Sequence, residues 1–277
     1  MQEGGASVIE LGIPYTDPQA DGPTIRHANR VAIDRGTQDV TACLDMLQQA
    51  RRMGLTIPVI LMGYYNPFYQ YGSHERLCRE AREAGADGFI VVDLPPEEGE
   101  GFNKACSEYR LSNIPLITPT SSDERIAALT RTASTFLYCV SVTGVTGCRD
   151  ALPADLSSFV ERVRSHTDLP LAVGFGVSNP GMVNNVANIA DGVVVGSAIV
   201  KAVNELGEEA TVKEQADAVR DVVEYFCTGL EQSNDAKNQA TSLCQIPTVL
   251  QNSSKGNFGK FGGQYICETL TKTFEVL

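Results

Sequence analysis

The regular alternation of short β-branched runs with longer amphipathic stretches, from residue 7 to about residue 200, constrains the fold of this chain more than any other feature. The phrases "AGADGFIVV" and "NIADGVVVG" repeat the same order of helix end, turn and strand. Such alternation predicts parallel strands joined by right-handed crossovers. The runs that predict strands are Ser7–Leu11, Ile57–Met62, Gly88–Val92, Ile114–Thr118, Phe136–Val140, Leu169–Val173 and Gly192–Val195.

Seven strand–helix units fit neither of the common parallel architectures. A (β/α)8 barrel needs eight units, and an open doubly wound sheet usually has five or six strands. Residues 2–7 are typical of the end of a helix that leads into a strand. We therefore expect an α/β fold, a (β/α)8 TIM barrel of the phosphate-binding type that lacks its first strand–helix unit.

The periodic pattern ends near residue 230 and divides the chain into three segments. Residues 1–230 form the predicted barrel domain. Residues 231–256 are rich in Ser, Asn, Gln and Thr and predict a polar linker. Residues 257–277 regain aromatic side chains but are too few to form a domain alone.

Composition excludes several classes of function. A net charge of −12 argues against a nucleic-acid partner, whereas a small anionic ligand is still compatible with it. No apolar run approaches the ~18 residues that span a bilayer, and no leader sequence is visible, so we expect a soluble, cytoplasmic protein with no membrane contact. The eight cysteines form no CxxC pair and predict reduced core thiols, and the three histidines lack a metal-ligand spacing.

Candidate catalytic residues lie where strands end, because parallel barrels bind ligands at the carboxyl ends of their strands. Glu10 interrupts the first apolar run, which favours acid–base function over a buried carboxylate paired with a basic neighbour. Asp21 follows in the next loop, where an aspartate before Gly-Pro is by itself a routine turn former. Tyr138 lies in "FLYCV".

Glycine-rich turns follow the last two predicted strands and suit an anion. Gly174-Phe175-Gly176 and Gly196-Ser197 let backbone amides approach a phosphate, and a helix starting near Ser197 adds its positive end. The alternative is that both are ordinary turns of strand–helix units. Residues 141–153 contain many small side chains and predict either a lid over the substrate or a passive loop.

Several motifs in one order resemble the α subunit of tryptophan synthase. They are "ELGIPYTDPQADGPTIRHANRVAIDRG", "LMGYYNPFYQYG", "GFIVVDLPPEE", "FLYCVSVTGVTG", "VGFGVSNP" and "VVGSAIV", and the resemblance covers about residues 4 to 225. The terminal "FGKFGGQYICETL" is similar to the opening of the β subunit. An α segment, a polar linker and a β start in one chain resemble the fused tryptophan synthase of fungi.

The resemblance implies a lyase that cleaves indole-3-glycerol phosphate into indole and glyceraldehyde 3-phosphate by a retro-aldol reaction. It implies no cofactor or metal for this reaction, since pyridoxal phosphate belongs to the β part, whose lysine this chain lacks. It also implies the β domain or subunit as a partner. The family has an additional strand–helix unit before the first motif, and its residues help to wall the pocket.

The same resemblance assigns roles to individual residues. Glu10 matches the acid–base that shuttles protons to indole C3 and from the glycerol hydroxyl, Asp21 the carboxylate at the indole N–H, and Tyr138 a tyrosine beside the substrate. The remaining matches are Gly147, Gly174, Phe175, Gly176, Gly196 and Ser197 for the phosphate site, Met62, Ile90, Val92 and Ile117 for the indole pocket, and Thr146 for the lid.

Two other interpretations compete with the lyase. A truncated, non-catalytic fragment would act only as a binding partner of a β subunit, through rim segments such as "LPPEE" and "YNPF". Another phosphate-binding barrel, such as an isomerase of the same pathway, is disfavoured by the motif "ELGIPYTDPQADGP". Release of indole without a cofactor separates the lyase from both.

Overall fold

The computed structural model describes residues 1–37, 39–141, 152–174, 176–207 and 209–240, with side chains to residue 230. Over these residues, strands and helices alternate as predicted. The strands are β1 Ile9–Gly12, β2 Val59–Gly63, β3 Gly88–Val91, β4 Ser112–Asn113, β5 Leu116–Ile117, β6 Leu137–Val140, β7 Leu171–Gly174 and β8 Gly192–Val193. The helices are α1 Pro23–Asp34, α2 Val40–Arg52, α3 Tyr65–Tyr71, α4 His74–Ala84, α5 Glu100–Glu108, α6 Asp123–Thr132, α7 Leu156–Arg164, α8 Pro180–Ala187, α9 Ser197–Asn204 and α10 Val212–Ala240.

All paired strands run parallel, in the order β1-β2-β3-β4 and β5-β6-β7-β8. The short strands β4 and β5 share one position in the barrel. Ile114 and Pro115, which lie between β4 and β5, connect β3 with β6. The Ile114 amide donates to the Phe89 carbonyl of β3, and the Pro115 carbonyl accepts from the Tyr138 amide of β6. β4 and β5 therefore fill one strand position, of which the predicted run Ile114–Thr118 contains β5 but not β4. The α/β barrel prediction is confirmed.

The barrel has a seam between its first and last strands. Within the described residues, no backbone pairing joins β1 to β8. A hollow of about 240 Å³ lies there, lined mainly by apolar side chains that include Val8, Phe136 and Phe226. The seam is the position that an eighth strand would occupy in a closed (β/α)8 barrel, which agrees with the count of seven strand units.

Side-chain alternation along the strands sorts the core into an inner and an outer layer. Inside the barrel, Ile60, Ile90, Ile114, Phe136, Tyr138, Val140 and Ala172 pack together. Between the strands and the helices, one cluster covers β1 to β3 with α2, α4 and α5, and another covers β5 to β7 with α6, α7 and α8. The inner layer supports the floor of the site described below.

Two equivalent aspartates hold the amino ends of strands together. Asp87 accepts hydrogen bonds from the Val59 amide at 2.9 Å and from Arg51 at 2.8 Å. Asp191 accepts from the Leu171 amide at 2.9 Å and from Arg164 at 2.8 Å. The repeated phrases noted in the sequence thus repeat a contact: each aspartate precedes one strand and binds the first amide of the strand beside it.

Helix ends follow the capping residues that the sequence predicts. The Ser73 hydroxyl accepts from the Arg76 amide at the start of α4, and Gly85 ends that helix with φ +97°. The Ser122 hydroxyl accepts from the Arg125 amide at the start of α6. Of the cysteines predicted as core thiols, Cys43, Cys78, Cys106 and Cys139 are buried and Cys227 is half-buried.

Helix α10 differs from its predicted end. It continues to Ala240, ten residues beyond the predicted domain boundary at 230, and so takes in the first part of the predicted linker. Residues 231–240 contain neither glycine nor proline, so nothing in their backbone chemistry stops the helix. The rest of the predicted linker and the segment 257–277 lie outside the described residues. No described helix combines the length and apolarity needed to cross a membrane.

We predict that Asp87→Ala lowers the free energy of unfolding by about 2–3 kcal/mol, because the half-buried Arg51 loses its carboxylate and the Val59 amide loses its acceptor. Denaturation in urea measures the change. Asp34→Ala is the matched control, since its ion pair with Arg30 is fully solvated and we expect a change below about 0.5 kcal/mol. Equal effects of the two substitutions would contradict the role of Asp87.

Candidate active site

A cavity of about 350 Å³ opens at the carboxyl ends of the strands. Glu10, Asp21 and Tyr138 all line it, so the fold brings together three residues that the sequence singled out. Gly176, Gly196 and Ser197 also line this cavity. A hollow of about 640 Å³ outside the barrel is larger, but it contains none of these residues. The smaller cavity is therefore the candidate active site, because the residues that line it can carry out chemistry.

Glu10 lies in the middle of β1, paired in register with Ile60 of β2. Its side chain is largely removed from water, and this burial raises its pKa from 4.5 to about 7. Among the described residues, no ion pair or hydrogen bond to the Glu10 carboxylate is found. Over the residues that the structure describes, a basic neighbour that would neutralise Glu10 is therefore not observed. A carboxyl group with this pKa can both give and take a proton near neutral pH.

Tyr138 is buried beside Glu10, inside the barrel. Burial, with a smaller contribution from the negative charge of Glu10, raises the pKa of Tyr138 well above its usual value. Its hydroxyl therefore keeps its proton. A Cβ atom on Gly174 would lie 2.2 Å from this hydroxyl oxygen. Gly174, predicted as a phosphate ligand, thus makes room for Tyr138, and it is not among the residues that line the cavity.

Asp21 lies in the loop between β1 and α1, and its carboxylate is held from the neighbouring strand. The Tyr64 hydroxyl donates to Asp21 Oδ2 at 3.1 Å and accepts from the Ala20 amide at 2.9 Å. Burial, and then the charge of Asp21, raise the pKa of Tyr64 far above its usual value. Asp21 is thus more than a turn former, because its side chain faces the cavity with a defined partner.

The opposite wall of the cavity has the features of an anion site. Gly176 adopts φ +84°, a conformation that favours glycine. Gly196 precedes the first turn of α9, and a Cβ atom built on it meets nothing within 4 Å. Helix α9 begins at Ser197, so its unpaired first amides and positive end adjoin the cavity. Of the other residues predicted for the phosphate and the lid, Gly147, Thr146 and Phe175 lie outside the described residues.

The apolar wall contains only part of the predicted indole pocket. Met62 and Val92 line the cavity. Ile90 packs inside the barrel beneath it and is fully buried. Ile117 points the other way, into the cluster between β5 and α6, because successive side chains of a strand face opposite sides. Ile117, predicted for the indole pocket, therefore packs against the helices and is not among the residues that line the cavity.

The sequence did not indicate several lining residues. Helix α1 contributes Ile25, Ala28 and Asn29 to the cavity. Tyr64 follows the end of β2 directly, so the rule that candidate residues lie where strands end could have selected it. The α1 residues gave no such signal, because a helix that lines a cavity at the mouth of a barrel has the same sequence pattern as any surface helix. Across the described residues, no group of three or more His, Cys, Asp or Glu side chains could hold a metal ion.

We predict that Gly174→Ala lowers the free energy of unfolding by about 1–3 kcal/mol, because the new methyl group overlaps the Tyr138 hydroxyl. Gly12→Ala, also at a strand end but with open space around it, is the control and should change stability little. Thermal or urea denaturation measures both. Repeating Gly174→Ala in a Tyr138→Ala background should remove most of the penalty, and an equal penalty in both backgrounds would contradict the contact.

The raised pKa of Glu10 also predicts how stability depends on pH. Between 4.5 and about 7 the folded protein binds more protons at Glu10 than the unfolded chain, so its stability falls as pH rises. Glu10→Gln removes this dependence. The free energy of unfolding of the variant, minus that of the wild type, should therefore grow by about 3 kcal/mol across this range and level off above it.

Urea denaturation at a series of pH values measures this difference. Glu108→Gln, which changes an exposed carboxylate of α5, reports the effect of losing a charge alone. A difference between Glu10→Gln and the wild type that does not change with pH would show that Glu10 is not a buried, neutralised acid.

Sequence comparison places this chain among known proteins. The family model described as "Tryptophan synthase alpha chain" matches residues 1–233. The "Tryptophan synthase alpha chain" of Roseiflexus castenholzii is 46% identical over 220 residues, which cover 79% of this chain and 84% of that protein. The "Tryptophan synthase" of Saccharomyces cerevisiae is 40% identical over 284 residues, which cover 98% of this chain. This chain spans 39% of the length of the yeast protein.

Structural comparison agrees. The crystal structure of tryptophan synthase subunit alpha from Legionella pneumophila superposes with a TM-score of 0.74 at 37% sequence identity, covering 83% of this chain and 84% of that one. The parallel barrel, the cavity with its carboxylates and these matches lead to one conclusion: the chain belongs to the tryptophan synthase alpha chain family.

Proposed function

We propose that this chain cleaves indole-3-glycerol phosphate into indole and glyceraldehyde 3-phosphate, as a lyase of tryptophan biosynthesis, with Glu10 and Asp21 as its catalytic carboxylates. The observation that carries the proposal is the meeting of Glu10 and Asp21 in one cavity that also adjoins the start of α9. An apolar wall, two carboxylates and an anion-binding end match the three parts of the substrate: the indole ring, the reacting carbons and the phosphate.

Glu10 moves the protons of the reaction. In its protonated form it gives a proton to indole C3, which carries the glycerol chain. As a carboxylate it takes the proton of the adjacent hydroxyl group, the hydroxyl carbon becomes the aldehyde, and the electron pair of the broken C–C bond restores the indole ring. Its pKa of about 7 supports both directions of transfer near neutral pH. Tyr138, protonated and packed beside it, limits where the carboxyl group can lie.

Asp21 accepts the hydrogen bond of the indole N–H. Protonation at C3 places positive charge on the ring nitrogen, and the Asp21 carboxylate stabilises that charge while the C–C bond breaks. The two carboxyl groups thus have different tasks. Glu10 needs the raised pKa that burial confers, whereas Asp21 lies in a hydrogen-bonded, partly exposed loop.

The phosphate binds between Gly176 and the first turn of α9 at Gly196 and Ser197. The support is the glycine conformation at residue 176, the open space at Gly196 and the helix end. Gly147, Thr146 and Phe175 remain candidates for the same site and its lid. Met62 and Val92 face the indole ring. The reaction needs no cofactor, because proton transfer and charge stabilisation by side chains suffice for a retro-aldol cleavage.

A tryptophan synthase β domain is the proposed macromolecular partner. The alignment with the fused yeast protein covers 98% of this chain, whereas the alpha chain model ends at residue 233. This difference supports the division into a barrel at 1–230, a linker at 231–256 and a β-like segment at 257–277, with α10 extending the barrel's last helix to Ala240. Nucleic acid is not a proposed partner, given the net charge of −12, and a cytoplasmic location stays a prediction.

The non-catalytic alternative is not favoured. A fragment that only docked on a β subunit would need no acid with a raised pKa inside its barrel, and burying such a group costs stability. Its rim segments "YNPF" and "LPPEE" are consistent with docking, but they do not distinguish a partner from an enzyme.

We predict that Glu10→Gln lowers the rate of indole release from indole-3-glycerol phosphate by about 10²–10⁴-fold, because the amide cannot transfer the protons. Asp21→Asn should lower the rate by about 10²-fold or more, since it removes the charge opposite the ring nitrogen. Asp17→Asn is the matched control. It makes the same change in the same loop, on an exposed side chain outside the cavity, and should leave the rate unchanged.

A colorimetric assay for indole, with no pyridoxal phosphate present, measures all three variants. Equal rates for the wild type and Glu10→Gln would refute the catalytic role of Glu10. A loss of activity in Asp17→Asn as large as that in Asp21→Asn would show that the loop, and not the carboxylate in the cavity, matters.

A further inference from the structure

We infer that Tyr64 is a positioning residue, which acts through Asp21 by holding the carboxylate at a fixed place on the cavity wall. The inference deepens the proposed function and rests on the role proposed there for Asp21. Tyr64 carries only one hydroxyl, yet this group contacts two successive residues of the loop, Ala20 and Asp21.

The direction of these two hydrogen bonds follows from the chemistry of the partners. The Ala20 amide can only donate, so the Tyr64 oxygen accepts from it at 2.9 Å. The single hydroxyl proton is then left for Asp21 Oδ2, at 3.1 Å. The hydroxyl thus binds both the backbone and the carboxylate of the loop, and a phenylalanine in its place would remove both of these hydrogen bonds.

Tyr64 can serve as an anchor because its own position is well determined. Its side chain is 7% exposed, and its ring lies against that of Tyr15, with centroids 5.3 Å apart. It immediately follows β2 and precedes the first residue of α3, Tyr65. The Tyr65 amide donates to Asp93 Oδ1 at 2.6 Å, so the end of β3 fixes the backbone next to Tyr64.

This support compensates for the place of Asp21 in the fold. Glu10 belongs to a strand with a paired neighbour, whereas Asp21 belongs to a loop. A loop carboxylate without a tie samples many positions, and misplacement by about 1 Å costs a reacting geometry about 10²-fold in rate. Tyr64 connects the loop to the rigid end of β2.

The test is a double-mutant cycle in the full chain with Tyr64→Phe and Asp21→Asn. Tyr64→Phe should lower kcat for indole release by about 10- to 100-fold, with KM changed by less than about threefold. In the Asp21→Asn background, the same substitution should change kcat by less than about twofold, because the group it positions is already gone. Tyr65→Phe is the matched control. It removes a neighbouring hydroxyl that contacts His74 instead of the loop, and kcat should stay as in the wild type.

Binding of indole gives a second readout that needs no turnover. The chain contains no tryptophan, so the fluorescence of added indole, excited where tyrosine does not absorb, reports binding directly. Tyr64→Phe should raise the Kd for indole about fivefold in the wild-type background and leave it unchanged in the Asp21→Asn background.

The outcomes separate this inference from the proposed function. If Asp21→Asn keeps the wild-type kcat and Kd, the role of Asp21 fails, and with it the reason for a positioning residue. If Asp21→Asn loses activity and indole binding but Tyr64→Phe matches Tyr65→Phe in both readouts, the inference about Tyr64 alone is overturned. An equal effect of Tyr64→Phe in both backgrounds would also overturn it, since Tyr64 would then act independently of Asp21.

Discussion

Burial of the Glu10 carboxyl group, which has no cation beside it in the part of the chain that the structure describes, is the constraint on which the rest of the site depends. The barrel holds Glu10 in a strand beside Ile60 and Tyr138, and removal from water raises its pKa to about 7. The same burial that costs stability makes the group able to exchange protons near neutral pH. The cost to stability and the proposed role of Glu10 in catalysis therefore have one physical origin.

The two ends of the barrel divide stability from function. At the amino ends of the strands, Asp87 and Asp191 bind first amides of neighbouring strands and are themselves held by arginines. At the carboxyl ends, the polar groups of Glu10 and Asp21 face a cavity. This division is general for parallel barrels. It explains why a substitution at Asp87 is expected to affect unfolding, whereas one at Asp21 is expected to affect turnover.

Much of the fold could be predicted because its signals are local. The strand runs and the cysteines of the core follow from short-range patterns that the structure confirms, and the serine and glycine caps of α4 are equally local. Predictions that depend on where a side chain points do not follow from such local patterns. Ile117 was assigned to the pocket but faces the helices, and Gly174 was assigned to a phosphate but makes room for the Tyr138 hydroxyl. For Gly174 the deciding contact comes from Tyr138 on β6, an element distant in sequence, whereas for Ile117 it is the orientation of the two-residue strand β5 that decides.

The sequence by itself determined the parallel strand–helix order, the family and the two carboxylates, because these depend on periodicity and on contiguous motifs. Only the tertiary structure decided which side chains meet. It brought Tyr64 to Asp21 across 43 positions of the chain, placed α1 over the cavity and left Glu10 without a basic partner among the described residues. These relations arise when strands β1 and β2 pair in register and their loops meet at one rim, a geometry that no local stretch of sequence encodes.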